Sequence, residues 1–81
     1  MSVAFVMVKT EASQEKKVHA ALQKIREIKE LHPLFGEYDL IAKVEAKNYD
    51  ALGVIIIEKI RSIPGVVDTK TLVGIKLKQK K

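Results

Sequence analysis

Side chains able to do chemistry are few in this chain, and they are scattered. It contains no cysteine, so disulfides, thiolate catalysis and iron–sulfur ligation are excluded. The two histidines, His19 and His32, have no third nitrogen or sulfur ligand beside them and make no zinc signature. Ser2, Ser13 and Ser62 sit in no nucleophile elbow, and the four glycines are isolated, so no phosphate-cradling loop can form. His19 reads as a solvated or partly packed helix histidine, and His32 as an exposed strand histidine. No catalytic residue, metal site or cofactor is assigned, and the expectation is a protein that is not an enzyme. What remains is a polar cluster, Gly36-Glu37-Tyr38-Asp39, directly before the run Leu40-Ile41-Ala42-Lys43-Val44.

The elements that position this cluster must come from one small domain. With 81 residues the chain has room for a single core, expected over about residues 3–75, and such a chain is only marginally stable alone. A hydrophobic fraction of 47% excludes a disordered chain. The apolar runs at 3–8 and 53–57 fall far short of the ~20 residues that span a bilayer. No signal peptide is evident, so a soluble, cytoplasmic protein is expected. The net charge is +5, but Lys76, Lys78, Lys80 and Lys81 form a Lys-rich flexible tail at 76–81. Removing those four from the 15 basic residues leaves 11, against 10 acidic. A body near +1 with four aromatics is not the basic face of a nucleic-acid domain, so no direct sequence-specific DNA binding is expected. The many Lys, Glu and Ile, with one Asn and no Trp, resemble a thermophile's composition.

Along the chain, Val3-Ala4-Phe5-Val6-Met7-Val8 is too short for a helix and rich in β-branched residues, and reads as a strand buried on both faces. Ser13 is placed to cap a first helix over about 14–26, where Val18, Ala21, Leu22 and Ile25 form one apolar stripe. A second strand is expected over 28–35. Pro33 lacks an amide hydrogen, which assigns that strand to an edge or a bulge. Residues 36–39 form a turn, and Leu40, Ile41, Ala42 and Val44 a third strand in a hairpin with the second. Asn48 caps a second helix whose stripe is Leu52, Ile55, Ile56 and Ile60, and Pro64-Gly65 ends it. A last strand follows over 66–77. The order is β-α-β-β-α-β, a split βαβ repeat. It is echoed internally by Lys24-Ile25-Arg26-Glu27-Ile28 and Lys59-Ile60-Arg61-Ser62-Ile63. Right-handed crossovers give a ferredoxin-like α+β fold with antiparallel sheet order 4-1-3-2 and both helices on one face. The first and third strands read as apolar on both faces. A bare apolar sheet face predicts a homodimer formed through it.

Related topologies fit poorly. RNA-recognition domains need aromatics on the first and third strands, metal chaperones a cysteine pair, and acylphosphatases an arginine in the loop that here reads Lys9-Thr10-Glu11-Ala12-Ser13. The chain instead resembles the C-terminal effector-binding (RAM) domain of the Lrp/AsnC, or feast/famine, transcription regulators. The resemblance covers residues 3–77. It rests on Ala4-Phe5-Val6-Met7-Val8, Gly36-Glu37-Tyr38-Asp39, Lys43-Val44-Glu45-Ala46, Ile60-Arg61-Ser62-Ile63-Pro64-Gly65-Val66 and Thr69-Lys70-Thr71. No helix-turn-helix precedes the first strand, so it looks like a stand-alone module.

The resemblance implies a site for a free amino acid between subunits, at contacts between dimers, and assembly of dimers into a ring. Carried over, it points to Gly36, Tyr38 and Asp39 with Thr69 and Thr71. Asp39 would accept from the ligand's ammonium, while turn amides and the threonine hydroxyls would donate to its carboxylate. Full-length Lrp/AsnC regulators are the implied further partners. Two alternatives stay open: an ACT-like amino-acid-binding regulatory domain, and a small dimeric α/β-barrel monooxygenase or isomerase. A deep pocket enclosing His32 or Tyr38 would favour the enzyme.

Overall fold

A computed structural model describes residues 1–75. The Lys-rich tail expected over 76–81, and the end of the fourth strand expected at 77, lie outside the described residues. The elements are β1 (Ser2–Thr10), α1 (Glu15–Gln23), β2 (Ile28–Pro33), β3 (Leu40–Ala46), α2 (Tyr49–Val54) continuing as a π-helical stretch (Ile55–Ile60), and β4 (Val66–Val73). They form one antiparallel sheet in the order β2-β3-β1-β4, the ferredoxin-like order read from the sequence. Pro33 is on the edge strand as its chemistry requires, and the β2–β3 register shifts between Ile28 and Glu30.

The core lies between the sheet and the helices. Ala4, Val6 and Val8 of β1 and Leu40, Ala42 and Val44 of β3 meet Val18 and Leu22 of α1 and Leu52, Ile55, Ile56 and Ile60 of the second helix. Both apolar stripes read from the sequence therefore face the sheet. A Gly65 backbone at φ 101° brings the loop before β4 against α1. Its carbonyl accepts from the Glu11 amide at 2.8 Å.

Three local expectations need correction. Ser13 does not cap α1: its φ of 69° is left-handed, whereas a capping residue needs extended backbone. Gln14 occupies the cap position and makes no side-chain cap bond. Helix α1 is also shorter than 14–26, because the Lys24 and Ile25 amides turn back to Ala21 and Leu22. The second helix widens at its end, where the Arg61 amide donates to the Ile56 carbonyl five residues back, at 2.9 Å. Asn48 does cap α2, accepting from the Ala51 amide at 2.8 Å.

The sheet face away from the helices is apolar only in its middle. Val3, Phe5 and Met7 of β1, Ile41 of β3 and Leu72 of β4 share it. Phe5 is 39% exposed there. Beyond Ile41, however, β3 presents Lys43 and Glu45. The Lys43 ammonium lies 3.7 Å from Glu30 and 3.8 Å from Glu45. The expectation of two uniformly apolar faces fails for β3, since its alternation places charges at these positions.

Candidate functional site

The β2–β3 connection builds one end of the molecule. The Leu34 amide donates to the Asp39 carbonyl at 2.8 Å and closes a loop that carries Phe35, Gly36, Glu37 and Tyr38. The Asp39 amide donates to Val8 at 2.9 Å, which fastens the loop to the central strand. The Asp39 carboxylate accepts from the Thr10 amide at 2.7 Å and from the Thr10 hydroxyl at 3.0 Å, both at Oδ2.

Beside this loop an open cleft of about 730 Å³ separates it from α1. Glu15, Lys16 and His19 of α1 form one wall. Pro33, Leu34, Phe35 and Gly36 form the other, with Asp39 and Leu40 between them. The α1 residues share a wall because spacings of three and four place side chains on one helix face. Its lining is mainly apolar, with the Lys16 ammonium and the Glu15 carboxylate together on the α1 side and the Asp39 carboxylate between the walls, so it can hold a small molecule with an apolar part and charges of both signs.

Of the residues singled out from the sequence, Gly36 and Asp39 line this cleft. Tyr38 is half-buried on the same loop and is not part of the lining. Thr69 and Thr71 stand opposite Val8 and Val6, on the helix-bearing side of the sheet. They are two strands from β3, or about 10 Å at the usual strand spacing. Thr69 instead shares a small depression of about 130 Å³ with Arg61 and Asp68, and its amide donates to Asp68 Oδ1 at 2.9 Å. Among the described residues, then, Gly36 and Thr69 line different depressions of one chain. Glu15, Lys16 and Phe35 carry no site signature in the sequence, and His19 stands there as a plain helix histidine. The spacing of Glu15, Lys16 and His19 puts them on one helix face, but nothing along the chain says that this face meets the Gly36 loop.

His32 lies outside the cleft on the other sheet face, with Nε2 3.3 Å from Glu30 Oε1. That hydrogen bond, then the nearby Lys43 charge, holds the Glu30 carboxyl below the ordinary carboxylate range. Glu27 is lowered too, first by its own backbone amide and then by Lys59, whose ammonium is 3.2 Å away. Among the described residues no group of three metal-ligating side chains occurs, and no helix is long and apolar enough to cross a membrane.

Comparison with known proteins agrees with this architecture. Residues 3–80 match the model of the Lrp/AsnC ligand binding domain. An uncharacterized HTH-type transcriptional regulator of Pyrococcus furiosus is 37% identical over 76 residues, covering 90% of this chain and 51% of that protein. The chain thus spans about half the length of the curated relatives it matches. Pyrococcus is the kind of source its composition resembles. The crystal structure of FFRP-DM1 superposes with a TM-score of 0.89 at 40% identity, covering 93% of this chain and 100% of that one. AsnC of E. coli gives a TM-score of 0.87 at 25% identity over 99% of this chain and 54% of its own. The chain therefore belongs to the Lrp/AsnC family, as a ligand-binding domain related to transcription regulators.

Proposed function

We propose that the domain is a non-catalytic sensor of a free amino acid, and that the cleft between α1 and the Gly36 loop receives the effector. The observation that carries this reading is the cleft itself, walled by Gly36 and Asp39 and furnished with both signs of charge. A zwitterion requires an acceptor for its ammonium and donors for its carboxylate, and both lie along this one groove. The cleft encloses neither His32 nor Tyr38, the side chains that would favour the enzyme alternative.

The sensor works as an oligomer in this reading. The apolar middle of the bare sheet face joins two copies, and dimers assemble further into a ring. Thr69 and Thr71 then reach the effector from a neighbouring copy, since they are too far from the loop in their own chain. The output is co-assembly with regulators of the same family, without sequence-specific DNA contacts from this domain. Residual DNA affinity would be sequence-independent and lost with added salt.

Calorimetric titration with each of the twenty amino acids tests the reading. At ~0.5–0.8 kcal/mol per heavy atom, a ligand of roughly ten heavy atoms gains about 5–8 kcal/mol, which is high to low micromolar. Binding by no amino acid below about 1 mM would refute it.

A further inference from the structure

Resting on the amino-acid reading of this cleft, we propose that α1 is part of the recognition machinery and that the effector is an amino acid with a large, uncharged, apolar side chain. Lys16 and His19 lie one helical turn apart on the wall facing the loop. Their nitrogens are the side-chain donors in the lining, so the effector's carboxylate is oriented to α1. Glu15 on the same face and the remaining Oδ1 of Asp39 accept from the ammonium, because Oδ2 is already engaged by Thr10. The opposite wall is of another kind. Pro33, Leu34 and the buried Leu40 bring no charge and no side-chain hydrogen-bonding group. A leucine-, methionine- or phenylalanine-sized side chain laid there buries apolar surface, whereas a charged side chain loses water without gaining a partner. Selection thus comes from the absence of a partner on the loop wall, and orientation from α1.

The test is titration calorimetry on the full chain with leucine, methionine, phenylalanine, glutamate and lysine, together with the keto acid and the amine that correspond to leucine. At least one of the three apolar amino acids should bind about ten-fold or more tightly than glutamate or lysine. The keto acid and the amine, each lacking one charged group, should bind at least about ten-fold more weakly than leucine. Lys16→Gln and His19→Gln should each weaken binding roughly three- to ten-fold, with Lys16→Arg close to wild type. Thermal unfolding of each variant separates lost contacts from a lost fold. Equal or tighter binding of glutamate or lysine overturns the inference and leaves the amino-acid reading standing. Apolar amino-acid binding that neither variant alters overturns the role of α1. Binding by no amino acid overturns both.

Discussion

Asp39 and Thr10 lock the β2–β3 loop to the end of β1. One carboxylate oxygen of Asp39 takes both the amide and the hydroxyl of Thr10, at 2.7 and 3.0 Å. Thr10 is buried, so losing this acceptor leaves donors unpaired away from water. Asp39→Ala should therefore lower unfolding stability by about 1–3 kcal/mol, in addition to weakening effector binding. Thr10→Val separates the two roles: it should cost about 0.5–1.5 kcal/mol of stability with little effect on affinity. Urea unfolding and calorimetry on both variants check this. A Thr10→Val protein that loses affinity as severely as Asp39→Ala would show that Asp39 acts on the ligand only through the frame.

Gly65 sets the position of α1 over the sheet. At φ 101°, a side chain is disfavoured by the backbone alone, and a Cβ there would meet Val18 Cγ2 at 3.0 Å and Gln14 Cβ at 3.1 Å. Val18 is fully buried and has no free direction in which to yield. Gly65→Ala should destabilise by about 1–3 kcal/mol, read as a lowered urea midpoint. Gly53→Ala meets nothing within 4 Å and lies in a helix, so it should be neutral or stabilising.

Acid sensitivity should follow Glu30 and Glu27. Both carboxyls sit below the ordinary glutamate range in the folded protein. Their contribution is thus present above the unfolded carboxylate value and is lost as the pH falls through the lower folded values. Glu30 is exposed and Glu27 half-buried at the surface, so the loss should be small and should shrink with salt. Unfolding midpoints should be flat from pH 7 to about pH 5 and decline below that. The double variant Glu27→Gln/Glu30→Gln should decline less steeply, and an unchanged slope would assign the acid response to other carboxylates.

Phe5 stands at the centre of the open sheet face, between Lys43 on one neighbouring strand and Leu72 on the other. Sedimentation at micromolar concentration should show at least a dimer. Phe5→Glu should shift it toward monomer, because the change replaces the ring at the apolar middle of the proposed interface with a charge that must lose its water on burial. A folded wild-type monomer at that concentration would remove the interface.

How much of this was legible depended on how local the information was. Pro33 announced an edge strand through its missing amide, and the sheet order agreed with it. Leu52, Ile55, Ile56 and Ile60 announced a buried stripe, and all four are buried. The π-helical widening was not legible, because a five-residue hydrogen bond at Arg61 leaves the same isoleucines facing inward. Ser13 misled because its identity suits a cap, while its backbone is set by the turn in which Gln14 bonds back to Glu11. The cleft itself was out of reach. His19 joins the Gly36 loop only because Gly65 and Val18 set α1 over that end of the sheet, and no spacing along the chain encodes that meeting.

The two borders of the sheet are unequal, and this bears on polymerisation. Pro33 and the irregular register near Ile28 blunt the β2 border, whereas β4 carries no proline from Val66 to Val73 and bonds β1 on one side only. A fibre built by strand addition needs two adhesive borders on every unit, so that each arrival leaves another open. Here two copies meeting β4 to β4 would turn only blunted borders outward, and growth would stop at the pair. The proline that marks an edge strand would thus also end growth by strand addition, leaving assembly to the sheet face.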